Sequence, residues 1–407
     1  MGRFMILAGL TTIGLLFAHG AGADAVLDWN EVAVAEVAAS GQLPPDGART
    51  MAMVHVALFD AVNAIDRRYE PVALKERGPA DASTDAAVAS ASYTVLAALF
   101  PAREPALAKL YAAALARMPD GPAKDAGLEL GHHAATLCLA LRAGDGTGAP
   151  SRYAPQTAAG VYVPTSMPIA SEWPEVKPWS MRSPSQFRPA PPPKLTSDVW
   201  TRDFAEVKRL GARESTERSA SQTETALFWS ITGPASWNPV VRSLASSQPL
   251  STVERARLFA LANVAAMDSL VAVFDAKYEY AFWRPITAIR RADIDGNDAT
   301  DAASTWLPLL ETPLHPEYPC AHCISSAAVG AVLEALIGAG EVPAMSITSA
   351  AVPGVVHRWT RISDYVDEVS EARIFAGVHY RNSADVGKAM GRSIAQQTVA
   401  SLMRPDE

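Results

Sequence analysis

Three segments of the chain concentrate side chains suited to holding and activating an anion. They are Lys277-Tyr-Glu-Tyr-Ala-Phe-Trp-Arg284-Pro285, His315-Pro-Glu-Tyr-Pro319-Cys320-Ala321-His322-Cys323, and Arg373-Ile-Phe-Ala-Gly-Val-His379 followed by Asp385. Lys277 and Arg284 are seven residues apart, about two helical turns, which predicts one shared helix face. Two stacked cations repel unless an anion lies between them, and the flanking aromatics predict a buried face, where an unpaired charge is costlier. The competing reading is a pair of surface cations reaching out from an amphipathic helix. Pro319 ends an extended stretch, and an apolar helix begins soon after. His322 is therefore expected near a helix N-terminus, where free N–H groups and the helix dipole favour an anion. There it is poised as a general acid or base, unless it is only an exposed capping residue. Arg373 and His379, six apart, share no helix face and converge only if the chain bends near Gly377. Arginine is the fork-shaped donor for a tetrahedral oxyanion. A neutral histidine nitrogen can bind a metal or attack phosphorus.

The elements that must position these residues read as mainly helical. Helical periodicity covers 48–65, 82–100, 103–118 and 122–143, with Pro122 suited to a first turn. It resumes at 198–211, 221–231, 251–290, 323–339, 363–380 and 382–403. No strand–helix alternation is present, which argues against a Rossmann-like sheet. Residues 144–193 are proline-rich, yet they carry Tyr162, Trp173, Trp179 and Phe187. Linkers are poor in such area-burying residues, so an ordered loop packed over the helices is expected rather than a linker between two domains.

The formal net charge of −8 argues against nucleic acid as a partner, but leaves room for a local cationic pocket. Residues 1–23 read as an export signal: Arg3, an apolar stretch from Met5 to Phe17, then Ala21-Gly22-Ala23 before Asp24. Export predicts a periplasmic or secreted protein with no membrane span after cleavage. In that compartment Cys320 and Cys323 could pair, while Cys138 suits a buried small residue. The Cys-x-x-Cys spacing also occurs in thiol oxidoreductases, but their βαβ context is missing. Covalent haem attachment needs a histidine where Ile324 stands. His132 and His133 point to different helix faces and suggest no zinc site, His55 fits an apolar core, and His357 has no evident partner.

Taken together, the three segments resemble the signature of the superfamily that contains vanadium haloperoxidases, bacterial acid phosphatases and type 2 phosphatidic acid phosphatases (PAP2). That signature reads Lys-x6-Arg-Pro, Pro-Ser-Gly-His, then Ser-Arg-x5-His with a following Asp. Lys277, Arg284, Pro285, Arg373 and His379 match it. KYEYAFWRP and the N-terminal stretch DWNEVAVAEVA…ARTMAMVHVALFDAVNAID are similar to exported bacterial haloperoxidase-like members. The resemblance implies a mainly α-helical bundle of the PAP2/haloperoxidase type, one domain over 24–407, with the anion site in 277–385. It implies vanadate as cofactor, with vanadium on His379 and oxygens held by Lys277, Arg284 and Arg373. His322 would assist proton transfer while peroxide oxidises a halide. His315 occupies the place of a histidine found in bromide-oxidising members. A phosphatase would instead need no cofactor, with His379 attacking a phosphate monoester and His322 protonating the leaving group. A catalytically weak oxyanion binder is the third alternative. The expected partners are these small molecules, with a homo-oligomer left open. Where the family has Ser-Gly, this chain has Cys320-Ala321, so Cys320 is expected in the oxyanion shell with a weak S–H donor, or none if oxidised. Ala372 replaces the Ser before Arg373. Ser383 stands where the family's Asp would follow the second His, and Asp385 is expected to reach His379 instead.

Overall fold

The computed structural model describes residues 24–406; the predicted export signal lies outside them. Thirteen α-helices and one short hairpin make up the described chain. The helices are α1 (Ala25–Ser40), α2 (Pro44–Ile65), α3 (Thr84–Leu99), α4 (Glu104–Leu115), α5 (Pro122–Leu141), α6 (Asp198–Leu210), α7 (Ala220–Phe228) and α8 (Asn238–Ser246). They continue with α9 (Thr252–Tyr280), α10 (Pro285–Arg290), α11 (Ala321–Leu336), α12 (Ile362–Phe375) and α13 (Arg381–Ser401). Strands β1 (Met345–Thr348) and β2 (Val356–Trp359) pair antiparallel, Met345 opposite Trp359. The fold is mainly α, and α1, α8 and the hairpin add to what periodicity predicts.

α9 is the axis of the bundle. Ser251 and Glu254 form a reciprocal capping box at its start, satisfying donors that the first turn leaves free. Its apolar residues wrap all sides, and every residue from Leu258 to Lys277 is buried. Such a helix must be enclosed. It is long and apolar enough to cross a membrane, but its most apolar stretch is wholly buried among its neighbours. α2, α11 and α13 pack against it. Each fully buried Val, Leu or Phe here contributes roughly 1.5–3 kcal/mol by the transfer of apolar area from water. One hydrophobic core is continuous from Val26 to Met403.

Two glycines set how closely α13 approaches α11. A Cβ on Gly387 would come within 2.8 Å of the Cys320 carbonyl oxygen, and one on Gly391 within 2.3 Å of that of Ile324. Only a residue without a side chain permits this backbone approach.

The proline-rich segment is an ordered cover. Trp173 and Tyr162 are buried, and Val161 bridges Phe282. Carboxylates of α9 tie it down. Asp268 accepts from the amides of Trp179 and Ser180 at 2.7 Å each, and Arg188 grips Asp275 through two bonds of 2.8 Å.

Candidate anion site

Lys277 and Arg284 do not share a helix. α9 ends at Tyr280, because Ala281 adopts φ 43° in the left-handed region and the chain turns out. Arg284 then caps α10 from an extended conformation. The two cations meet across a loop instead. Lys277 Nζ donates to the carbonyls of Pro316 (2.9 Å) and Glu317 (2.7 Å). Arg284 donates to the carbonyls of His315 (2.9 Å) and Val378 (2.8 Å), and its Nη2 donates to His315 Nδ1 at 3.0 Å. The seven-residue spacing does bring both charges to one place, by a route that helical periodicity does not describe.

The third segment bends as its sequence allows. α12 ends at Phe375, and Gly377 turns with φ 76° against Gly211, whose carbonyl oxygen a Cβ would meet at 2.3 Å. This turn carries His379 back beside Arg284. His379 Nδ1 donates to Glu317 Oε1 at 2.7 Å. The neutral imidazole therefore carries its proton on Nδ1, and its Nε2 lone pair accepts from Arg284 Nη1 at 3.3 Å. The Tyr380 amide also donates to Glu317 Oε1.

Glu317 corrects the expectation for Asp385. Asp385 is more than half exposed on α13, where it pairs with Lys388. The carboxylate that orients His379 comes from the loop before α11. Glu317 lies inside the second segment, between two prolines, and a buried acid there was the available signal. Ser383 faces this carboxylate from the opposite element, so the acid has changed sides relative to the resemblance pattern.

Cys320 also differs from expectation. It forms a disulfide with Cys323. Both are fully buried against Ala384, where α11 meets α13. Cys320 Sγ accepts from the Cys323 amide, so it caps α11 rather than donating to an anion. Ala321, the first residue of α11, reaches the cavity instead, and His322 follows it. His322 Nε2 lies 3.1 Å from the Ile231 carbonyl. Nε2 therefore carries the proton and Nδ1 is unprotonated.

These residues border a cavity of about 490 Å³ whose lining includes His315, Ala321, His322, Arg373 and His379. Lys277 and Arg284 are buried directly behind that floor. Arg373 Nη1 donates to the Trp229 carbonyl at 2.9 Å, while its buried Nε has no partner. Burial lowers the affinity of all three cations for their protons. Lys277 falls well below the usual lysine range, Arg284 to about 10 and Arg373 to about 9, with Arg284 adding repulsion to the other two. Burial raises Glu317 to about 7 against the pull of Lys277 and Arg284. Burial and the same cations hold His315, His322 and His379 neutral. Three buried cations thus oppose one buried carboxyl group. An anion among them would relieve the imbalance. The unpartnered Arg373 Nε and the unprotonated Nε2 of His379 fit a tetrahedral oxyanion such as vanadate. Among the described residues no group of three or more His, Cys, Asp or Glu is placed to hold a metal cation.

The comparisons with known proteins bear on the fold and on the second half of the chain. Residues 257–405 match the family described as the VCPO second helical-bundle domain. The vanadium chloroperoxidase of Curvularia inaequalis is 29% identical over 174 residues, 34% of this chain; the chain spans 28% of that relative's length. A bacterial vanadium-dependent iodoperoxidase superposes with a TM-score of 0.78 at 23% identity, over 94% of this chain and 96% of that one. A holo-type bacterial vanadium-dependent chloroperoxidase superposes with a TM-score of 0.68 at 16% identity, over 87% and 91%. Residues 257–405 thus match a family of helical-bundle domains, and the fold of the described chain is that of these solved structures.

Proposed function

We propose that this protein is an exported vanadate-dependent haloperoxidase, periplasmic or secreted, that oxidises a halide with hydrogen peroxide. The observation that carries the reading is the grouping of Lys277, Arg284 and Arg373 around the Nε2 of His379, with a single carboxyl group opposing them. Bound vanadate would supply a Lewis-acidic centre that polarises peroxide without changing its own oxidation state. His379 would hold it through Nε2. Glu317 fixes the tautomer that presents this lone pair. Arg284 and Arg373 would hold the oxyanion oxygens, with Lys277 behind them and the α11 N-terminus at Ala321 adding a backbone donor. His322, neutral and with Nδ1 unprotonated, is suited to accept a proton at the cavity floor. His315, held by Arg284, lies where it would meet the halide. The apolar cover over the floor excludes water and strengthens each charge interaction.

The test is a paired assay on purified protein. Vanadate with peroxide and bromide is expected to brominate a phenol dye. Hydrolysis of p-nitrophenyl phosphate without vanadate is expected to stay at background. The reverse result assigns the same pocket to phosphate-ester hydrolysis through His379. Tight vanadate binding with neither activity identifies an oxyanion binder.

A further inference from the structure

Peroxide and a halide together hold a few heavy atoms, yet the cavity above the anion site measures about 490 Å³. That is the size of a pocket for an organic molecule, which commonly falls between 300 and 1,000 Å³. Its lining joins two chemistries. The floor is polar and cationic. The walls are apolar and come from separated parts of the chain: Ile169 in the proline-rich cover, Trp237, Phe274 on α9, and Leu310 and Leu314 before α11. Trp237 and Phe274 are nearly fully buried within their own packing. They present fixed faces, as a preformed site requires. The exposed Thr232 and Glu311 also line the cavity and mark where it meets solvent.

Resting on the haloperoxidase reading, we propose that these walls bind an uncharged, electron-rich aromatic co-substrate, and that halogen is transferred to it inside the cavity. Apolar walls gain by excluding water when an apolar molecule enters. An anionic guest is drawn to the floor rather than the walls, so the two chemistries occupy different parts of one cavity. The reaction balances without a further reagent. The halide gives two electrons to peroxide, whose O–O bond breaks. A carbon–halogen bond forms as the aromatic C–H bond breaks. The released proton, with one more from solvent, converts the peroxide oxygens to two waters.

Thymol is a suitable probe, because it is uncharged, apolar and readily brominated. Its binding to vanadate-free protein is measured by titration calorimetry, which needs no activity. Wild type is expected to bind thymol saturably at one site. Ile169→Glu and Leu310→Glu, on different segments and outside the residues that would hold the anion, are each expected to weaken thymol binding at least tenfold while vanadate binding stays within twofold. Circular dichroism and the retained vanadate affinity establish that the variants are folded. With vanadate, peroxide and bromide, the wild type is expected to give an isomer ratio of bromothymols different from that of added hypobromite. Ile169→Glu should shift that ratio toward the hypobromite value. Absence of saturable thymol binding overturns the proposal, as does binding that neither variant weakens. Bromide oxidation with the hypobromite isomer ratio also overturns it, while leaving the haloperoxidase reading intact. Thymol binding that both variants weaken, without any halide oxidation, overturns the haloperoxidase reading and leaves the aromatic site standing.

Discussion

His55 on α2 and His379 after α12 are both buried to within 1% and both held neutral, yet their surroundings differ in kind. His55 sits in a neutral amide network. The Asn30 side-chain amide lies 2.8 Å from its Nε2, Asn238 and Asn263 continue the chain of bonds, and the ring stacks on Phe259. Arg242 donates into this network through Asn30. His379 instead bonds a carboxyl group and faces three buried cations, one of which, Arg373, leaves its Nε without a partner. The first arrangement leaves one ring nitrogen, His55 Nδ1, without a partner but gathers no cluster of cations, whereas the second faces Lys277, Arg284 and Arg373. Burial of a histidine therefore says little about function. The charge left unbalanced around it says much more.

The sharpest way to break this contrast is to remove each ring in turn. His379→Ala should abolish vanadate binding in calorimetry and, with it, any halide oxidation. His55→Ala should leave vanadate affinity within twofold but lower stability by about 2–4 kcal/mol in urea unfolding, as expected for truncating a buried, hydrogen-bonded side chain. Equal loss of vanadate binding in both variants would erase the distinction.

A smaller effect is expected one bond further out. Glu317→Gln keeps the shape of the side chain but removes the charge that fixes the His379 tautomer. Partners of this kind typically contribute about 10–100-fold in affinity, so vanadate binding should weaken by that factor. Ser383 faces Glu317 from the other side. Adding Ser383→Asp to the Glu317→Gln variant should recover part of the loss. A double variant no better than the single shows that the carboxylate works only from the loop.

Much of this was legible in the sequence, and the misses have specific causes. Residue types and spacing located Arg373, His379 and His322, because Pro319 and Gly377 mark where the backbone must turn. Spacing also paired Lys277 with Arg284, but through a continuous helix. Nothing in KYEYAFWRP announces that Ala281 takes a left-handed conformation, since alanine adopts it only under tertiary constraint. Here the proline-rich cover meets it, the Tyr162 amide donating to the Ala281 carbonyl at 2.7 Å. Asp385 is the acid the sequence offers because it follows His379 in the chain, two residues beyond Ser383. The three-dimensional partner lies 62 residues earlier, and a pairing at that separation has no local signal. α1 has a nearly unsided apolar composition, and α8, though one-sided, is only nine residues long, too short for its period to stand out.

The neutral network makes a pH prediction of about one order of magnitude per unit. Burial, then Arg242, lowers His55 to about 3, whereas an unfolded histidine takes its proton near 6.5. Between those values the unfolded chain holds one more proton at this position, so stability falls as pH falls. The slope from His55 alone is about 1.4 kcal/mol per pH unit. Comparing wild type with His55→Gln cancels the titration of every other group. From pH 6.5 to 4.5 the wild type should lose about 2.3 kcal/mol more than the variant in urea unfolding. Parallel pH profiles would show that His55 is protonated in the folded protein, and the neutral description of its network would fail.

The smallest expected effect lies at the edge of the charged region. Cys320 adjoins Ala321 in sequence, and a serine in its place resembles the family pattern. Its sulfur, however, is bonded to Cys323 and packed against Ala384, away from the cavity lining. A hydroxyl at 320 would inherit that position and cap the first turn of α11 through the Cys323 amide, as the sulfur does now. The backbone amides at the head of α11 would stay where they are. Cys320→Ser should therefore leave vanadate affinity and halide oxidation within twofold of wild type. The cost should appear in unfolding, at about 2 kcal/mol or less, since a bond closing so short a loop restricts the unfolded chain little. A large gain in vanadate affinity would mean that residue 320 reaches the anion, and the boundary between the packed disulfide and the charged floor would have to move by one residue.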